Sequence, residues 1–359
     1  VFDEYLRENG AYMDESDSVF AAQIYCPIID LQHADMAYEW FFRADKICED
    51  SPAGPAETMT PFKEELSKEL AARYVEYFNG LGLRYPETCE PLRIGKDGRS
   101  GSAYELLMRV LEDSATDFLR RLETGTLELK CSVDDYLDGN YTEFAPAPPP
   151  PLPPDAPVLP NLGTLVLRNS PFPSFKPPML ELPGRNKRAW LSWDGERAHI
   201  TGLDDYVLHH RRRMKPCTGF DKLSCDSGEN QELGSPEQDY MHFSEDLAKA
   251  VRVLAVEWPE DCEGLVERFR IDLSDPELDN RVRLIDPYTF IGSTGSRQAE
   301  HYRIRVGARD ADTATIIGLT LALSLQDSGL DADYALIWDE PHSEADYPGE
   351  VCDWIESIY

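Results

Sequence analysis

The amino-acid sequence predicts an α/β protein: a mostly parallel sheet whose halves are separated in the chain by one long insertion. Three observations predict it. Residues 285–359 alternate strand and helix. A compact β-branched run stands near the start, and a long mixed region fills residues 43–284 between them. Strand, helix, strand, helix in that order needs crossover helices and gives parallel pairing.

Taken in order, the acidic opening segment with Tyr5, Leu6, Asn9 and Gly10 reads as loop or short helix. The run Val19-Phe20-Ala21-Ala22-Gln23-Ile24-Tyr25-Cys26-Pro27 has the length and branching of a buried strand, stopped by its proline. Thr60-Pro61 opens a helix with a capping hydroxyl and a proline in the first turn. Phe62, Leu66, Leu70 and Tyr74 supply its apolar stripe, and Gly80 ends it. A second helix runs from Ser102 to Glu123, with Leu106, Val110, Phe118 and Leu122 at helical spacing and Gly125 as the stop. Residues 145–160 are almost all proline, which suits an exposed polyproline II spacer, either a stiff loop or a dock for an SH3-like partner. Tyr302–Val306 is then a strand ending at Gly307, Thr313–Gln326 a helix, Asp333–Trp338 a strand, and 349–358 a last helix.

Composition removes several function classes. Asp plus Glu number 67 against 35 Lys plus Arg, a formal charge of −32, and such a field repels nucleic-acid phosphates and anionic lipid. The single basic run, His209-His210-Arg211-Arg212-Arg213 with Lys215, is therefore read as a solvated helix face. No stretch approaches the roughly 20 apolar residues of a membrane span. None of the 8 cysteines form a CxxC pair, which argues against metal ligation and leaves the disulfide state open. The compartment also stays open.

In parallel α/β sheets, reactive groups sit just past the C-terminal strand ends. Asp310 and Asp312 follow one strand there, and His342 follows the next. A carboxylate and an imidazole so placed suit a hydrolytic triad, in which the imidazole moves the nucleophile's proton and the carboxylate fixes its tautomer. The chain order of an α/β-hydrolase is Ser, Asp, His, and Asp310 precedes His342 with room for one helix and one strand between. Helix capping or solvent exposure is the competing reading of both residues.

The strings "HYRIRVGARDADTA" and "DADYALIWDEPHSEADY" resemble the C-terminal motifs of bacterial-type (subtype B) tannases and tannase-like esterases. "RMKPCTGFDKLSCDSGEN" resembles the substrate-binding segment of that family's inserted lid. "IDPYTFIGS" and "AAQIYCPIIDLQHADMAYEW" resemble segments that enter the late strands and follow the nucleophile helix. The resemblance fails over the proline-rich insert. It implies an α/β-hydrolase core from residues 1–42 and 285–359, incomplete on its N-terminal side, with 43–284 as the inserted lid. It makes Asp310 the triad acid and His342 the triad base, while Asp312, Lys215 and Glu229 hold substrate phenol groups. On their own, Lys215 reads as a surface cation, Glu229 as a turn residue and Asp312 as a helix cap.

No Gly-x-Ser-x-Gly pattern occurs. The family's serine elbow lies upstream of a segment like residues 21–40, so the expectation is a truncated or split chain that is inactive alone and partners a missing N-terminal segment. The implied activity is hydrolysis of galloyl or related phenolic-acid esters, without metal or organic cofactor. Two alternatives are a feruloyl or general carboxylesterase of the same fold and a non-catalytic remnant that binds phenolics or a protein.

Overall fold

The computed structural model describes residues 18–48, 57–146, 179–342 and 345–359, with positions 7, 10 and 12. The expected polyproline spacer, beyond position 146, lies outside the described residues, as do Tyr5, Leu6 and Asn9 of the opening segment. In chain order the elements begin β1 (Ala21–Tyr25), α1 (Leu31–Phe42), β2 (Ile47–Cys48), β3 (Glu57–Thr58), α2 (Pro61–Gly80), α3 (Ser102–Glu123) and α4 (Val133–Asp138). There follow β4 (Thr142–Pro146), β5 (Met179–Pro183), β6 (Leu191–Trp193), β7 (Ala198–Ile200), α5 (Leu203–His209), α6 (Gly228–Glu232) and α7 (Glu245–Leu254). The chain ends with α8 (Leu265–Asp272), α9 (Leu278–Ile285), β8 (His301–Gly307), α10 (Thr315–Asp327), β9 (Asp331–Ile337) and α11 (Glu350–Ile358).

β1, β8 and β9 form one sheet in that order, with both pairings parallel: Ile24 stands opposite Ile304, and Ile304 opposite Tyr334. β8 is central and buried along most of its length, as expected of a strand flanked on both sides. The outer edge of β1 pairs with no strand among the described residues, and Val19 and Phe20 beside it are exposed. α10 connects β8 to β9 and is buried on nearly every face, so it has no polar stripe. The remaining strands form three two-stranded antiparallel ribbons in the intervening region.

α2 starts where its cap predicts: the Thr60 side chain accepts the Lys63 N–H at 3.3 Å and Pro61 is the first helical residue. It packs against α1 through Trp40, Tyr74, Leu66 and Leu70, all but free of solvent. One continuous apolar core joins α1, α2, α3, α7 and the sheet helix α10. No helix among the described residues is long and apolar enough to cross a membrane.

One expectation fails outright. The basic run at 209–213 is not a solvated face: His210, Arg211 and Arg213 are buried. Arg213 Nη2 lies 2.6 Å from Glu39 Oε1, with both side chains fully buried. Arg212 Nε donates to Asp45 Oδ2 at 2.6 Å, and Arg211 donates to Thr313 O and Thr315 Oγ1. Their guanidinium groups also lie over rings, Arg211 on Phe41 at 4.8 Å and Arg213 on Tyr38 at 5.4 Å. Acids from α1 and its C-terminal turn pair with Arg212 and Arg213, and Arg211 ties the run to the turn before α10.

Candidate active site at the strand tips

β8 and β9 end side by side, and their parallel register continues into the turns beyond. Ala308 N donates to Ile337 O at 2.8 Å, and Arg309 N donates to Glu340 O at 2.8 Å. Gly307 makes this possible. A Cβ built there would stand 2.3 Å from the carbonyl oxygens of Glu340 and Pro341, so only glycine lets the His342 loop cross the tip of β8.

The result brings two predicted residues together: His342 Nδ1 lies 3.1 Å from Asp310 Oδ2. The separation is of hydrogen-bond length, but the ring N–H points off the oxygen, so the contact is an ion pair first. Such bonds commonly straighten only when substrate is bound. Asp310 is fully buried and tightly held. Its Oδ1 accepts the N–H groups of Asp312 at 2.9 Å and Thr313 at 3.2 Å, and its Oδ2 accepts the Thr313 hydroxyl at 2.8 Å. It is thus Asp310, rather than Asp312, whose carboxylate caps the turn into α10. Burial pushes the Asp310 carboxyl up, but His342, the Arg211 guanidinium and Thr313 outweigh it and hold it below its usual range. His342 is pushed up to about 10 by contact with Asp310 and then Cys26, against the opposing effect of partial burial.

Cys26 is a residue that sequence reasoning missed. It ends β1 with a left-handed φ of 42° and is 6% exposed. Its Sγ, a His342 ring nitrogen and an Asp310 carboxylate oxygen all lie within 4.8 Å of one another. The strand-tip rule that picked out Asp310 and His342 applies equally to it.

The phenol-binding candidates are brought together in part. Lys215 Nζ lies 3.9 Å from Asp312 Oδ1, and both side chains are partly open to solvent. The Lys215 ammonium also stands 4.9 Å from the centre of the Phe220 ring, and its stem rests on Gly219, where a Cβ would come within 2.6 Å. Tyr38, which the sequence presents as one more core aromatic of α1, holds this arrangement. Its hydroxyl accepts the N–H groups of Met214 and Lys215, each at 3.0 Å, and donates to Ala311 O at 2.9 Å. One buried oxygen thereby ties the Lys215 segment to the Asp310–Asp312 turn. Asp35, a turn earlier on α1, accepts the N–H groups of Gly219, Phe220 and Asp221.

Glu229 sits in the first turn of α6, which opens with a reciprocal cap between Ser227 and Asn230. It is half-buried and forms no ion pair with Lys215 or any other cation among the described residues. Four other histidines contact nearby carboxylates. His33 and His301 contact Asp30 and Asp331, His199 contacts Asp194, and His242 is fully buried against Asp221.

A buried carboxylate against an imidazole, with a cation beside a second carboxylate close by, makes an arrangement able to move a proton and to hold hydrogen-bonding groups. Comparisons with known proteins bear on which reaction that is. No protein-family model and no curated protein matches the chain. Solved structures do. The native tannin acyl hydrolase of Lactobacillus plantarum matches at TM-score 0.69 and 26% identity over 99% of this chain and 60% of that one. A tannin acyl hydrolase in complex with ethyl gallate matches at TM-score 0.67, with the same identity and coverage. The tannase of Fusobacterium nucleatum matches at TM-score 0.68 and 22% identity, over 99% and 62% of the two chains, a likeness of fold alone. The chain spans about 60% of the length of these tannases.

Proposed function

We propose that this chain, which belongs to a tannase-like family with an α/β-hydrolase-like fold, is the larger part of a serine esterase cleaving galloyl or related phenolic-acid esters. Asp310 and His342 are the acid and base of its triad. Residues 43–284 are the lid, and Lys215 and Glu229 from the lid join Asp312 in holding the phenol ring. The nucleophilic serine comes from a segment upstream of Val1 that also covers the open edge of β1.

The observation that carries this reading is the 3.1 Å contact between His342 and Asp310, adjoining the 3.9 Å contact between Lys215 and Asp312. The serine oxygen attacks the ester carbonyl and its proton passes to His342 Nε2, while Asp310 holds Nδ1 and stabilises the charged ring. The imidazolium then gives that proton to the departing alcohol, and water repeats the sequence to release the phenolic acid. A general base must be neutral when it acts. An upstream segment packed on the half-open imidazole would lower its proton affinity by burial. Adjacent phenol hydroxyls donate to two carboxylates, and an ammonium donates to the phenol oxygens. A ring without hydroxyls leaves those charges unpaired and is rejected.

The test is the chain joined to its upstream coding sequence and assayed on methyl gallate. Hydrolysis lost in Asp310→Asn and His342→Ala supports the reading. No hydrolysis with an upstream serine present overturns it. Glu229→Ala should cost far more on gallate than on ferulate esters. An equal loss on both replaces the galloyl assignment with a general carboxylesterase.

A further inference from the structure

Cys225, His242 and Asp272 converge from three separate pieces of the intervening region: the loop before α6, the loop before α7 and the last turn of α8. A sulfur, a ring nitrogen and a carboxylate oxygen from these residues all lie within 4.8 Å of one another. His242 is fully buried and its ring stacks on Phe269 at 3.9 Å. Its Nδ1 stands 2.6 Å from Oδ1 of the equally buried Asp221. Its other nitrogen, Nε2, is buried with no hydrogen-bond partner. An imidazole fixed by a carboxylate on one nitrogen and bare on the other is how proteins present histidine to a metal.

The other two groups fit the same purpose. Asp272 is fully buried and accepts from His242 N at 2.9 Å, Gln238 Nε2 at 2.8 Å and Arg268 Nε at 2.8 Å. Arg268 also brings Nη2 to 3.9 Å from the Cys225 sulfur. Its guanidinium neutralises the anionic side of the cluster, and the side chain is 43% exposed, so it can withdraw into solvent when another cation enters.

We propose that Cys225, His242 and Asp272 are a binding site for a thiophilic divalent cation of the zinc class, against the expectation drawn from the lack of CxxC pairs. One thiolate, one imidazole and one carboxylate are the donors that zinc takes in four-coordinate sites, with water completing the shell. Calcium and magnesium require more oxygen ligands than the cluster offers. Bonds of about 2.0–2.3 Å require the three donors to close in by about 1 Å. The cation braces the segment behind the phenol-binding residues, because Asp221 also accepts Asn230 Nδ2 at 2.8 Å and the N–H groups of Phe243 and Ser244 at 2.9 Å. Asn230 directly follows Glu229.

The test uses the full chain, freed of metal by a chelator and titrated with Co²⁺, and it reads no esterase activity. The expected result is a thiolate-to-cobalt charge-transfer band that saturates at a single equivalent and is displaced by Zn²⁺. Cys225→Ser removes the band and weakens binding at least tenfold. Cys26→Ser, in the other Cys/His/Asp cluster, leaves the band unchanged. On the unaltered chain, Zn²⁺ protects Cys225 from alkylation but leaves the exposed Cys89 and Cys352 reactive. The proposal is overturned by the absence of a charge-transfer band at excess Co²⁺, by a band that survives Cys225→Ser, or by alkylation of Cys225 at an undiminished rate in Zn²⁺.

Discussion

Tyr38→Phe deletes a single oxygen, and the structure sets what that deletion costs. The ring stays, with its packing against Phe42 at 4.4 Å between centroids, so no cavity opens. What disappears is the partner of three backbone groups: the N–H of Met214, the N–H of Lys215 and the carbonyl of Ala311. Each buried group left unmatched costs about 1–3 kcal/mol. The Met214–Lys215 segment is only half-buried and water will reach part of it, which brings the total to about 2–4 kcal/mol. That is a large fraction of the roughly 5–15 kcal/mol by which folded proteins are stable. Urea denaturation should show a midpoint lowered by about 1 M at unchanged slope, and hydrogen exchange should show the amides of Met214 and Lys215 losing protection first. A midpoint unchanged within error, with both amides still protected, refutes the claim that this hydroxyl joins the Lys215 segment to the strand-tip turn.

Further outcomes follow from the same geometry. Arg213→Met strands the buried carboxylate of Glu39 and should destabilise by about 3–5 kcal/mol in chemical denaturation, with Arg213→Met/Glu39→Leu recovering most of it. Equal loss in the single and double variants contradicts the ion-pair account. Gly307→Ala drives a Cβ into the Glu340 and Pro341 carbonyls and shifts the His342 loop. On the proposed esterase reading, kcat on methyl gallate, measured on the chain joined to its upstream coding sequence, should fall about 100-fold with KM little changed. Stability should also depend on pH through His342, whose proton affinity is raised on folding to about 10 from an ordinary value near 6.5. Its contribution is complete below about pH 6.5 and fades as pH rises through about 10. With the side chain 39% exposed, solvent screening reduces that contribution to about 1 kcal/mol. His342→Gln should flatten the melting-temperature profile across that window.

Local signals carried much of the fold. The cap at Thr60-Pro61, the glycine stops and the strands of residues 301–337 were readable because turn chemistry and short-range periodicity act between near neighbours. The pairing of Asp310 with His342 was readable because parallel strands present their C-terminal ends to one crevice. What escaped depends on contacts between distant residues. Arg213 reads as a surface charge until Glu39, 174 residues earlier on α1, is folded against it. Tyr38 reads as core because its ring is core, while its one polar atom bridges two loops. Cys26 carries no spacing motif, and only its place at the tip of β1 marks it. His242 carries no spacing motif, and the bare nitrogen on its buried ring is visible only in three dimensions.

The pairing of Asp310 with His342 at the strand tips is most directly tested by following the His342 ring through a pH titration by NMR, in the intact chain and in Asp310→Asn. A proton that the ring keeps until about pH 10, and gives up much nearer to pH 6.5 once Asp310 is neutral, is the result the pairing predicts. A ring that titrates near pH 6.5 in both proteins contradicts it.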